Sequence, residues 1–130
     1  MSEATEAILA ATAASAKKAE RIVILDVSRQ LVITDHFVIC HGNTERQVRT
    51  IAEEVRKSLS EQARIRPART EGERESRWIV LDYVDFVVHV FHKEDRDYYN
   101  LERLWSDAAV VPFEDPWRRD GHEPAAAKAT

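Results

Sequence analysis

Two apolar runs, Trp78–Leu81 and Phe86–Phe91, flank the tetrapeptide Asp82-Tyr83-Val84-Asp85. Each run has the length of a strand, and the gap has the length of a turn, so the segment reads as a hairpin. Strand alternation then puts Trp78, Val80 and Asp82 on one face and Ile79, Leu81 and Tyr83 on the other. A turn centred on Tyr83-Val84 sets Asp82 opposite Asp85 and Trp78 opposite His89. Directly opposed carboxylates cost up to about 1 kcal/mol, a cost that a basic partner would offset. Val84 is β-branched and resists the positive φ of the tightest hairpin turns. A lone hairpin is barely stable in water, so the rest of the chain must supply more strands and a cover.

It does so in order. Residues 3–19 are alanine-rich and helical by propensity. With only Ile8 and Leu9 bulky, that helix is expected to pack thinly at the periphery. Ile22–Val27 reads as a buried strand and Phe37–His41 as a second, ending at Gly42-Asn43. Thr44-Glu45-Arg46-Gln47 is a capping box, with Thr44 capping the amide of Gln47 and the Gln47 side chain reaching back to the amide of Thr44. Behind it Val48, Ile51, Ala52, Val55 and Leu59 make one apolar stripe on a helix. Ile65–Arg69 reads as a short edge strand guarded by Arg64, Arg66 and Arg69. After the hairpin, a helix with an acidic first turn carries Tyr98, Leu101 and Trp105 on one face. The sum is an α/β (mixed α+β) single domain over residues 1–112, with a mixed sheet of about five strands flanked by helices. Residues 113–130 read as a Pro/Ala-rich tail, disordered by composition from 119 onward.

Composition narrows the function. The 130 residues suit one domain. One cysteine, Cys40, allows no intrachain disulfide and fits a reducing cytoplasm. The N-terminus lacks the signal-peptide order of basic, apolar and cleavable regions, and no apolar run nears the roughly 20 residues of a membrane span. A net charge of −4 disfavours a nucleic-acid binder. On a ribonucleoprotein, such a chain is expected to grip a basic protein, with little direct RNA contact.

From Trp78 to Asp107 the aromatic surface is concentrated, with seven acidic residues against three basic ones in residues 82–107. Tyr98, Tyr99 and Trp105 combine large area with a polar handle, a combination favoured at interfaces. Leu101 and Leu104 fit core packing. Gly42-Asn43 ahead of a helix is a place where nucleotidyltransferases carry glycine-serine, followed by an Asp-x-Asp pair that holds metal. Here Asn43 replaces the serine, and Glu53 and Glu54 project about 100° apart. Neither an enzyme nor a cofactor or metal is expected on this pattern. Cys40 reads as a buried hydrophobe with no placed base. The five histidines lack metal-ligand spacing; His89 reads as hydrogen-bonded and half-buried, near Asp82 or Asp85.

Five blocks in order carry a resemblance: DVS at 26–28, ITDHFVICHGNTERQV at 33–48, Glu71-Gly72, WIVLDYVDFVVHVF at 78–91 and RDYYNLERLW at 96–105. They resemble the ribosomal silencing factor family, also called Iojap-related, over roughly residues 3–112. Members of that family often carry glycine where Val84 stands. The resemblance implies a nucleotidyltransferase-like sheet without catalysis. It also implies a protein that docks on ribosomal protein L-fourteen of the large (50S) ribosomal subunit and sterically blocks joining of the small one. Trp78, Leu81, Asp82, Tyr83, Asp85, His89, Arg96, Tyr98, Tyr99, Leu101 and Trp105 are the residues expected to form or support the docking face. Alternatives are a divergent nucleotidyltransferase, a part in large-subunit biogenesis, and a homodimer of the free chain using the same face.

Overall fold

A computed structural model describes residues 4–119. Helix α1 (Thr5–Ala16) leads into β1 (Glu20–Asp26) and β2 (His36–Gly42), then α2 (Glu45–Ala63). The chain continues through β3 (Arg69–Glu71), β4 (Trp78–Asp82) and β5 (Phe86–His92). It closes with α3 (Lys93–Tyr99), α4 (Leu101–Leu104), β6 (Ala109–Val111) and α5 (Pro116–Arg119). One mixed sheet runs in the order β3-β4-β5-β2-β1-β6. Only the central pair, β2 with β5, is parallel. The expected α/β architecture is therefore present, with six strands where about five were expected. The added strand, β6, pairs antiparallel with β1 at the edge. The other edge strand forms at Arg69–Glu71 instead of Ile65–Arg69, because the hairpin with β4 pairs Thr70 with Leu81.

The sheet separates two cores. Ile24, Val38, Cys40, Ile79, Leu81, Val88 and Val90 face α1 and α2 in the larger. Leu25, Val27, Phe37, Ile39 and Phe91 face the other way, under Trp78, Leu101 and Trp105. Helix α1 is not peripheral: Ala7, Ala10, Ala11, Ala13 and Ala14 are all buried against the larger core. Their small side chains let the helix backbone sit close to α2, so burial is dense without bulky residues. Helix α2 buries the expected stripe of Val48, Ile51, Ala52, Val55 and Leu59. Thr44 Oγ1 accepts from Gln47 N at 3.0 Å. The Gln47 side chain, however, accepts from Asn43 N at 2.8 Å rather than from Thr44.

The hairpin alternates as expected, but its register is two residues off: Trp78 pairs with Phe91, and Asp82 with Val87. Asp82 and Asp85 are thus not opposed. The turn is built on Val84 at φ 76°, with Asp85 N donating to Tyr83 O at 2.9 Å, a γ-turn. Asp82 Oδ1 accepts from Val84 N at 2.9 Å and steadies it. Because strand faces repeat every two residues, this error in register leaves every face assignment intact.

The expected aromatic helix is two pieces. Asn100 adopts the left-handed conformation, φ 49°, and ends α3. The C-terminal segment folds back over α1. Ser15 Oγ donates to Asp115 Oδ1 and accepts from Trp117 N at 3.2 Å, so Trp117 belongs to a strap across the domain. The expectation of disorder at 120–130 lies outside the described residues.

Candidate functional site

The face of the sheet away from α1 and α2 carries a row of rings. Trp78 stacks on Phe91 with centroids 4.7 Å apart and meets Tyr99 at 5.0 Å. Tyr99 meets Tyr98 edge-on at 5.0 Å. On the other side of the row, Phe37 lies 4.8 Å from His89 and 5.4 Å from Trp105, both edge-on. Tyr98 is 80% exposed, Leu104 75% and Tyr99 about half. Trp105 and Leu101 are half-buried and roof the smaller core. Tyr98, Tyr99 and Leu104 are therefore groups a partner can cover, while Trp78 packs against Tyr99, and Leu101 and Trp105 pack on the smaller core.

Three of the expected contact residues fall elsewhere. Leu81 is fully buried and Tyr83 nearly so, both on the face under α1 and α2. There Tyr83 stacks on Phe86, centroids 4.8 Å apart. Alternation required this placement, since they share a strand face with Ile79. Arg96 is 2% exposed. Its Nε and Nη2 donate to the two carboxylate oxygens of Glu102 at 3.1 and 2.7 Å. Its Nη1 donates to Glu20 O at 3.2 Å and meets His41 Nδ1 at 3.0 Å. A guanidinium only donates, so His41 Nδ1 accepts and its Nε2 carries the proton. Nε2 faces Glu20 Oε1 at 3.4 Å. Burial, reinforced by the Arg96 charge, pushes the His41 pKa down to about 4. Arg96 thus ties α3, α4, β1 and β2 together and sets where Tyr98 and Leu104 project.

His89 does not pair with a carboxylate. Its Nδ1 accepts from Trp78 Nε1 at 3.1 Å, and desolvation pushes its pKa down to about 4. The imidazole is consequently neutral, with its proton on Nε2. Beside it opens a cleft of about 400 Å³ lined by Leu31, Ile33, Thr34, Phe37, Asp82, Val84, Val87 and His89. Sequence reasoning missed Leu31, Ile33, Thr34, Phe37, Val87 and the exposed Leu104. The signal was there in Leu31-Val32-Ile33, an apolar triplet in what is otherwise a polar connection.

The acidic surplus is smaller than the sequence count implied. Arg77 reaches Asp95 at 2.6 Å, Glu94 at 2.9 Å and Glu45 at 3.7 Å. Hydrogen bonds from Arg77 hold the Glu94 carboxyl below its usual range. Lys93 pairs with Asp97 at 3.1 Å, and Arg69 with Asp82 at 3.5 Å. Of the seven acidic residues, Asp85 and Asp107 remain without an ion pair among the described residues, as does Asp35 outside that segment; Asp35 N donates to Asp85 O at 2.9 Å.

Two places where the sequence offered reactive or phosphate-binding chemistry are closed among the described residues. Cys40 is buried and desolvation pushes its thiol up to about 12, which removes the thiolate at neutral pH. At the start of α2, side chains already occupy the groups a phosphate would use, since Gln47 takes the Asn43 amide and Asn43 Nδ2 binds Glu20 Oε2 at 3.2 Å. Among the described residues no cluster of His, Cys, Asp or Glu could hold a metal ion. No described helix is long and apolar enough to cross a membrane.

A family model described as "Ribosomal silencing factor during starvation" matches residues 1–130. The chain belongs to the ribosomal silencing factor family. It is 50% identical over 106 residues to the Ribosomal silencing factor RsfS of Halalkalibacterium halodurans, covering 82% of this chain and 90% of that one. A crystal structure of a protein from Chromobacterium violaceum superposes with a TM-score of 0.78 at 31% identity, over 87% of this chain and 92% of that one. More distantly, it is 28% identical over 92 residues to the Mus musculus "Mitochondrial assembly of ribosomal large subunit protein 1", covering 69% of this chain and 40% of that protein.

Proposed function

We propose that this chain binds the large ribosomal subunit through ribosomal protein L-fourteen and represses translation by standing where the small subunit must join. The observation that carries this is the exposure of Tyr98, Tyr99 and Leu104, with Tyr99 against Trp78 and their helices tied together by the buried Arg96 and half-buried Glu102. Large amphipathic side chains on a rigid base supply contact area at little entropic cost, and a few of them dominate a typical interface. Asp35 and Asp85 add negative potential toward a basic protein. Blocking then needs no chemistry, only a bound 14.9 kDa body in the path. Family membership supports a ribosomal partner and a regulator rather than an enzyme, and the free, buried Cys40 fits a reducing cytoplasm. The name of the mouse relative favours a second reading, in which the same docking serves maturation of the large subunit.

The test is co-sedimentation of the pure protein with isolated large subunits, small subunits and intact ribosomes. Binding to large subunits alone, with loss of subunit reassociation, is the expected result. The folded pair Tyr98→Ala with Leu104→Ala should bind at least tenfold more weakly. Normal binding by that double variant would sink the site assignment. Trp105 is unsuited to such a test, because it packs on Phe37 and its removal would disturb the fold.

A further inference from the structure

The cleft beside His89 has the marks of a built pocket. Its walls are Leu31, Ile33, Phe37, Val84 and Val87. Three polar side chains break this apolar lining, and one of them, Asp82, is already matched by Val84 N and Arg69. His89 is 7% exposed and Thr34 5%, yet His89 Nε2 and Thr34 Oγ1 are buried without a hydrogen-bond partner among the described residues. An unmatched buried polar group costs about 1–3 kcal/mol, a cost that a matching ligand group at this wall would recover. His89 must donate from Nε2, because Trp78 Nε1 fixes the other nitrogen as the acceptor. The complement is an apolar group about the size of one or two aliphatic side chains, with an oxygen acceptor beside it.

We infer that this cleft is the anchor pocket for one aliphatic side chain of the docked protein partner, whose adjacent backbone carbonyl accepts from His89 Nε2. The inference rests on the docking reading above and adds to it a second foothold, away from Tyr98 and Leu104. The mouth of the cleft decides between occupants. Ile33 is 79% exposed, and Val84 is also exposed; a free small molecule seated below them would leave both in water. A segment of protein would cover them. A second copy of this chain is disfavoured by charge: Asp35 and Asp85 adjoin the cleft-lining Thr34 and Val84, and a two-fold contact would set carboxylates against carboxylates. A basic protein surface with an aliphatic projection satisfies the walls, the donor and the rim together.

The experiment measures affinity of the full chain for isolated large subunits at two salt concentrations. Four proteins are compared: wild type, Val87→Phe, Ile33→Asp and the control Val110→Asp on β6. Val87→Phe fills the cleft, whereas Ile33→Asp changes only its exposed lip and leaves the core untouched. Both should bind at least tenfold more weakly than wild type, with Val110→Asp unchanged. Asp85→Asn should weaken binding less and flatten its salt dependence. Wild-type affinity in a folded Ile33→Asp or Val87→Phe variant would overturn the pocket while leaving the docking reading standing. Failure of the wild type itself to bind would overturn both.

Discussion

Val84 holds a positive φ that β-branched residues avoid. Strain of this kind costs of the order of 1–3 kcal/mol. Asp82 and the Tyr83–Asp85 hydrogen bond hold it in place. Val84→Gly should therefore raise stability by about 1 kcal/mol, strain relief exceeding the entropy of glycine; an unchanged or lower urea midpoint would refute it. The same variant removes an exposed wall of the cleft, so stability and docking should move in opposite directions. Gly72 is the converse. At φ 85° it lies so close to β4 that a Cβ would fall 1.9 Å from the Trp78 carbonyl oxygen. Gly72→Ala should cost about 3 kcal/mol, read as a lower melting temperature. At this scale, alternation along β4 made the faces legible. The turn type was not, because Val84 is the wrong residue for a local signal to announce a γ-turn.

Elements formed where the local chemistry was complete. The stripe and cap of α2 are visible in the sequence and in the structure alike. The break between α3 and α4 was not foreseen, because Tyr98, Leu101 and Trp105 also fit one unbroken helix. Asn100, a common left-handed helix end, was the overlooked mark. What makes the break necessary is tertiary: Arg96 must reach Glu102 on the next piece, and Glu20 and His41 across the sheet. A guanidinium among distant partners has no local sequence signature. Arg96→Ala should cost about 3 kcal/mol or more, since it strips the half-buried Glu102 and the buried His41 of their partner. It should also weaken large-subunit binding even where the variant stays folded. Chemical denaturation alongside co-sedimentation separates the two effects.

For the whole molecule, two buried histidines set the pH response. His41 and His89 are both pushed down to about 4 by burial, with Arg96 contributing at His41, while in the unfolded chain they titrate near 6.5. Between those values the unfolded chain binds protons that the folded chain does not, so stability is full above about pH 6.5 and falls as the pH drops toward 4. The urea midpoint should decline across that window, and His89→Gln should flatten part of the decline. A midpoint independent of pH from 7 to 4.5 would contradict the neutral, buried state of both rings. Charge at this scale was only half legible: the net value of −4 was plain, but the sharing of Arg77 among three carboxylates depends on strand β4 starting beside α3 and α2.

The order of strands also governs when this protein comes into being. The centre of the sheet joins β2 to β5, pairing His36 in the first half of the chain with Phe86 in the second, and β6 closes against β1 only at Val111. Long-range pairings of this kind cannot form piecemeal and make folding slow. A chain still being synthesised can pair β1 with β2, but it has no complete sheet, no aromatic row and no cleft before the segment through Val111 has been made. A member of a ribosome-directed family thus acquires its recognition surface all at once, and late.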